Sequence, residues 1–168
     1  ESPYLDWFNF KSFPLHAYEE KKPLGYEAWW DIPDLPKFNT NTPAVRDYIF
    51  DVAEHWIRMG ADGWRLDVPA EINDDSFWQE FRARVKAINP GAYIVGEIWH
   101  EAQRWLRGDQ FDGVMNYQFT KACLGFFAGS KIDHGLASDV GFAPVPSVGA
   151  AGFPVFFLLN LRLYAWCV

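Results

Sequence analysis

Arg65 and Asp67 stand two residues apart in GADGWRLDVPAE (60–71), and Glu97 closes the apolar run AYIVGE (92–97). An aspartate and a glutamate brought to one cleft suit retaining glycoside hydrolysis. One carboxylate attacks the anomeric carbon and the other protonates the leaving oxygen, at a separation of roughly 5–5.5 Å. Neighbouring carboxylates also push each other's pKa values apart, leaving one charged and one protonated. Arg65, two residues before Asp67 and so on the same face of a strand, would hold that aspartate ionised and oriented by a charged hydrogen bond. An ordinary ion pair at a strand end is the competing reading, and spacing alone leaves both open.

For these groups to meet, Asp67 and Glu97 must end parallel strands joined by one helical unit, because ligand sites of α/β sheets lie at the C-terminal strand ends. The pattern supplies such units. Thr42 is a candidate N-cap with Pro43 at the first helical position. Val45, Ile49, Val52, Trp56 and Met59 then form an apolar stripe, and Gly60 is a C′ stop. Period two over 62–68 sets Trp64, Leu66 and Val68 on one face and Gly63, Arg65 and Asp67 on the other. Asp75 or Ser76 can cap a second helix striped by Phe77, Phe81, Val85 and Ile88, and Asn89-Pro90 ends it. A strand over 92–97, a short helical turn over 101–106, a third strand in FDGVMN (111–116) and a helix over 118–127 complete the series. In that last helix Phe119, Cys123, Phe126 and Phe127 are expected on the covered side. Alternating helices and strands specify the α/β class, with a parallel sheet covered by helices.

Residues 1–42 are rich in aromatics and proline with no sustained period, and read as a long ordered loop or the end of an excursion domain. Residues 43–128 carry the βα units. Residues 129–168 fade into a Gly/Ala/Pro loop and an apolar tail, an atypical stretch that reads as truncated or diverged. His134 beside Asp133 falls in that loop and reads as loop polarity.

The chain has 168 residues, fewer than the about 250 of a whole (β/α)8 barrel. Its 49% hydrophobic and 18% aromatic content, with nine Trp, indicates folded structure. A formal net charge of -7 without a Lys/Arg cluster argues against nucleic acid. The tail from Phe153 to Val168 is shorter than the about 20 residues a membrane span needs, and the N-terminus lacks a signal-peptide pattern. Cys123 and Cys167 are read as free thiols of a reducing compartment, which favours the cytoplasm. No cofactor is indicated. Asp6, Asn9, Asp31 and Asp34 supply oxygens, but their spacing matches no EF-hand calcium loop.

Taken in order, the motifs resemble the central part of the catalytic barrel of the alpha-amylase superfamily, in its cyclomaltodextrinase, neopullulanase and maltogenic amylase branch. DGWRLD (62–67) resembles the family's fourth-strand motif and GEIW (96–99) its fifth. DLPKFNTNTPAVRDYIFDVAEHWI resembles the lead-in and third barrel helix, and GDQFDGVMNY the approach to the sixth strand. The resemblance covers residues 1 to 127. It implies a partial (β/α)8 TIM barrel with central βα units only, Asp67 as nucleophile, Glu97 as general acid/base and Arg65 as support.

It further implies substrate-binding positions. Glu71 is a selectivity residue, although Pro69 and Ala70 depart from the family's usual Ala-Asn before it. Trp99 is an aromatic wall beside the acceptor subsites, with core packing as the competing reading. His100 is a polar contact, with a plain surface role against it. Asn116 and Tyr117 line the cleft, with capping and packing against that. The implied partner is an α-glucan oligosaccharide or cyclodextrin, acted on at α-1,4 linkages with hydrolysis or transfer as outcome, and a homodimer of the full-length protein is left open. The family's upstream motif with an aspartate and a histidine, and its downstream His-Asp motif with a third carboxylate, do not occur in residues 1–168. A catalytically inactive carbohydrate-binding or interaction protein on the same fold is therefore the alternative.

Overall fold

The computed structural model describes residues 2–17, 19 and 22–127, with side chains to residue 124. Asp133, His134, Cys167, the apolar tail and the expected burial of Phe126 and Phe127 lie outside the described residues.

Helix α1 (Pro43–Arg58) starts at Thr42, whose carbonyl accepts the N–H groups of Val45 and Arg46. Its hydroxyl is not spent on the cap. It donates to the Asp6 carbonyl at 2.7 Å and so ties the preceding loop to the helix. The helix ends as its sequence expects. Gly60 adopts φ 101°, its N–H bonds the Ile57 carbonyl, and the Ala61 N–H reaches the Trp56 carbonyl, a Schellman closure that needs a left-handed residue at Gly60. The buried face corrects the expected stripe: Val45, Ile49, Phe50, Ala53 and Ile57 are inside, whereas Trp56 and Met59 are exposed. Two overlapping stripes share Val45 and Ile49. Small Ala53 decides between them, because the Trp64 indole packs there and donates to the Ala53 carbonyl at 3.3 Å.

Strand β1 (Gly63–Leu66) pairs in parallel with β2 (Tyr93–Gly96), Arg65 opposite Val95 and Leu66 opposite Gly96. Strand β3 (Gly113–Val114) adds to the far side of β2, giving a three-stranded sheet in the order β1-β2-β3. The alternation of β1 is as expected up to Leu66: Trp64 and Leu66 are buried while Arg65 faces the other side, partly open. Val68 departs from it. At φ 32° and ψ 51° it is left-handed, so the chain leaves the strand just after Asp67 and turns into Pro69–Glu71.

Helix α2 (Asp75–Ile88) crosses from β1 to β2 and packs Phe77, Trp78, Phe81 and Val85 against α1 and the sheet. Its cap is Asp74, one residue before the expected pair. The Asp74 Oδ1 accepts the Phe77 N–H at 3.2 Å, and its other oxygen takes Arg46 of α1 at 2.8 Å, which fixes the two helices together. Asp112 does the same for β3: it accepts the Ile94 N–H and pairs with Arg82 and Lys86 of α2, each at 2.8 Å. Helix α3 (Tyr117–Phe127) follows β3 and is capped by Asn116, whose Oδ1 accepts the Phe119 N–H. Against expectation Phe119 is 60% exposed and Cys123 only half-buried among the described residues. Strand, helix, strand, turn, strand and helix make an unclosed parallel sheet, a partial (β/α)8 barrel.

Before α1, three isolated antiparallel bridges, Phe8 with Phe38, Phe10 with Tyr26 and Ala28 with Pro36, tie the described residues of the N-terminal segment into a loop platform whose Trp29, Lys37 and Phe38 face the end of β1 across a cavity.

Candidate active site

The C-terminal ends of β1 and β2 deliver Asp67 and Glu97 to the same edge. The Glu97 N–H continues the ladder by bonding the Leu66 carbonyl at 2.9 Å, which fixes the glutamate beside the β1 terminus. Arg65 lies between the two acids. One guanidinium nitrogen bonds Asp67 Oδ1 and the other lies 3.0 Å from Glu97 Oε1. One planar guanidinium fork thus meets an oxygen of each acid and keeps the two carboxylates neighbours.

Glu97 is the more enclosed of the pair, with 11% of its side chain exposed against 37% for Asp67. Its Oε1 also accepts the Tyr117 O–H at 2.8 Å, and its Oε2 accepts the Val68 N–H at 3.3 Å. The left-handed turn at Val68 therefore has a local use, since it aims a backbone donor at the glutamate. Burial pushes the Glu97 pKa up. The Tyr117 O–H, the Val68 N–H, the Trp99 indole and the Arg65 charge outweigh it and hold the group below the ordinary glutamate range. These contacts all favour the ionised form of Glu97. Burial disfavours the Arg65 charge, yet its bond to Asp67 and the nearby Glu97 charge raise its pKa overall, so it stays a fixed cation between them.

A cavity of about 280 Å³ opens beside Asp67, lined among others by Trp29, Lys37, Phe38, Glu71 and Trp78. Glu71 lies on its rim and pairs with Lys37 of the loop platform at 3.0 Å. Trp99 is half-exposed and meets Trp30 edge-on, with ring centroids 6.2 Å apart. Trp30 stacks flat on Trp29 at 4.6 Å, is 66% exposed, and has φ 50°. A left-handed tryptophan followed by a left-handed Asp31 (φ 56°) is strained backbone, and such strain gathers at ligand clamps.

The structure thus brings Arg65, Asp67, Glu97 and Tyr117 into one bonded network and sets Glu71 and Trp99 around it. His100 is directed elsewhere, with its ring against Trp105 and its Nδ1 3.0 Å from the Glu101 carbonyl. The Asn116 amide oxygen is occupied in capping α3. Trp29, Trp30 and Lys37 were not among the residues expected at the site. The one sequence signal for the two tryptophans is the WW doublet inside a Pro-rich loop, and Lys37 has none. Among the described residues no group of three or more His, Cys, Asp or Glu gathers as a metal site, and no helix is long and apolar enough to cross a membrane.

The fold, with two carboxylates bridged by an arginine at adjacent strand ends, has a match in known proteins. The chain belongs to the alpha-amylase family: the family's catalytic domain matches residues 17–140. Within it the chain falls in the cyclomaltodextrinase, neopullulanase and maltogenic amylase branch, as DGWRLD and GEIW imply. It is 54% identical over 128 residues to a cyclomaltodextrinase of Geobacillus thermopakistaniensis, covering 76% of this chain and 21% of that one. It is 49% identical over 133 residues to neopullulanase 2 of Thermoactinomyces vulgaris, covering 79% and 22%. Among solved structures, the cyclic alpha-maltosyl-(1-->6)-maltose hydrolase of Arthrobacter globiformis superposes with a TM-score of 0.74 at 41% identity, over 83% of this chain and 31% of that one. The chain therefore spans about a fifth of the length of these curated relatives.

Proposed function

We propose that this chain is the central part of the catalytic barrel of a retaining α-glucan hydrolase acting on α-1,4 linkages of maltooligosaccharides, cyclodextrins or related glucans. The bridging of Asp67 and Glu97 by Arg65 at neighbouring strand ends carries the reading. Asp67 attacks the anomeric carbon as the glycosidic C–O bond breaks, and the leaving oxygen takes a proton from protonated Glu97. A water then gives a proton back to Glu97, its oxygen bonds the anomeric carbon, and Asp67 leaves as a carboxylate, with net retention. Arg65 orients Asp67 for the attack through its bond to Oδ1. Trp99 and Trp30 offer ring faces to the apolar faces of glucose units, and the Lys37–Glu71 pair borders the entrance. Relatives support the substrate class: the Arthrobacter hydrolase has been solved in complex with maltose.

The contacts of Glu97 favour a second reading, a carbohydrate-binding protein without turnover, because the Tyr117 O–H, the Val68 N–H and Arg65 engage both of its oxygens as acceptors. One experiment separates the two. The protein with its native flanking sequence is incubated with maltooligosaccharides and the products are resolved by chromatography. Shorter sugars are expected, with loss of about 10²–10⁴-fold in rate on Glu97→Gln. A folded protein that binds maltooligosaccharides but releases no shorter sugar would establish the binding reading.

A further inference from the structure

Glu97 Oε1 accepts the Tyr117 hydroxyl at 2.8 Å and lies 3.0 Å from Arg65 Nη2 in an ion pair, while Oε2 accepts the Val68 N–H at 3.3 Å. A carboxyl group surrounded in this way acts as an acceptor, and a proton on Oε1 would have to face donors. The three donors are not equally movable. The Val68 N–H is part of the backbone at the β1 exit, and Arg65 is already engaged with Asp67. Tyr117 is a half-buried side chain in the first turn of α3, so its hydroxyl, unlike the Val68 N–H and Arg65, can leave Oε1 without disturbing β1.

The geometry points to Tyr117 as a positioning residue that pins Glu97 through its O–H and yields Oε1 to the glycosidic oxygen when a glucan binds. Glu97 then takes up a solvent proton. This rests on the acid/base role proposed above for Glu97, and it differs from a direct sugar-binding role for Tyr117. Among the described residues, the groups facing Glu97 are Arg65, with Asp67 behind it, and the Val68 N–H from the β1 end; the Trp99 indole from its own segment; and Tyr117 from α3. Asp112, on neighbouring β3, is engaged by Arg82 and Lys86. Tyr117 bears the reciprocal mark of the contact, since its bond to Glu97 raises the pKa of its phenol above the ordinary tyrosine range.

The test is Tyr117→Phe in the protein carrying its native flanks, a change that keeps the ring and removes the donor. The alkaline limb of the kcat/KM profile on maltooligosaccharides is expected to move to higher pH, because Glu97 loses a bond that favours its ionised form. At the wild-type optimum kcat/KM should fall less than about tenfold. A raised KM with both limbs unmoved would overturn the inference in favour of direct sugar contact. A readout independent of turnover is alkaline difference absorbance, wild type minus Tyr117→Phe, which isolates the ionisation of this one phenol. It should titrate above ordinary tyrosine and move down on Glu97→Gln. An ordinary titration insensitive to Glu97→Gln overturns the pairing even in an active enzyme. A linked titration in a folded protein without turnover leaves the pairing standing and removes the hydrolase reading instead.

Discussion

Residues 43–114 and residues 2–42 meet at the carboxylates, but they are held by different means. The βα units share one core in which Phe50, Phe77, Trp78, Phe81 and Ile94 are almost wholly buried. In the loop platform, Tyr26 is the one large apolar side chain buried among the described residues. The platform relies on long-range backbone bonds, such as Asn39 N–H to the Trp7 carbonyl at 2.7 Å and Lys37 N–H to the Glu27 carbonyl at 2.9 Å, and on ring contacts of half-buried aromatics. A close-packed core sets strand ends to fractions of an ångström and resists volume changes. A bonded loop with exposed rings can shape an entrance without carrying global stability. Stability changes should therefore map to the first region and changes in KM to the second.

The largest effect that would break this division is at Phe81. It is 1% exposed and contacts the rings of Phe50, Trp64 and Trp78. Phe81→Ala should cost about 3–5 kcal/mol in chemical denaturation. A loss below about 1 kcal/mol would show that the core is not packed as described. Gly96→Ala comes next. A Cβ there would sit 2.8 Å from the Phe111 ring, itself 2% exposed, between β2 and the turn after it. Overpacking of about 1–3 kcal/mol is expected, read as a lower thermal midpoint. Because Glu97 adjoins Gly96, activity should fall with it.

The same division decides what could be read from the sequence. Arg65, Asp67 and Glu97 were legible because a strand's period of two and its end positions follow from local pattern, and the family motifs fall on those positions. Helices α1 and α2 were legible in extent. The buried side of α1 was not, since periodicity admits both Trp56 and Ile57 and only Trp64 packing on Ala53 selects between them. The cap of α2 lay within NDDS, where Asp74, Asp75 and Ser76 are all chemically able, and the tie to Arg46 settles it. The bonds of Glu97 to Val68 and Tyr117 depend on a left-handed valine and on where β3 delivers α3, neither of which a local pattern encodes. Trp30 was the least legible, because positive φ is ordinarily the province of Gly or Asn.

Trp30 is where the loop side of the comparison can be sharpened. Its ring stacks on Trp29 and approaches Trp99, yet two thirds of the residue is exposed, so little core is lost when it is removed. Trp30→Ala should raise KM for maltooligosaccharides about tenfold, comparable to the loss of one aromatic stacking contact, while the thermal midpoint stays within about 2 °C. A lowered midpoint with unchanged KM would move Trp30 from the entrance into the scaffold.

The smallest expected effect belongs to Asp74, which joins the two helices at their solvent-facing start. Its bond from Ser76 is the chief cause that lowers its pKa from 3.8 to about 2, with Arg46 and the Phe77 N–H acting in the same direction against partial burial. A carboxyl whose folded pKa lies below its unfolded value adds stability that is fully present above the unfolded value and is lost as pH falls through the folded one. Asp74→Ala should therefore cost about 1 kcal/mol near neutrality, as the loss of an N-cap does. The gap between wild type and variant should begin to narrow as pH falls below about 4, and close near pH 2, where wild-type Asp74 takes up its proton. The measurement is urea denaturation of both proteins across that range. A gap that stayed constant down to pH 2 would mean that Asp74 acts through packing alone, and would remove charge from the account of how α1 and α2 are joined.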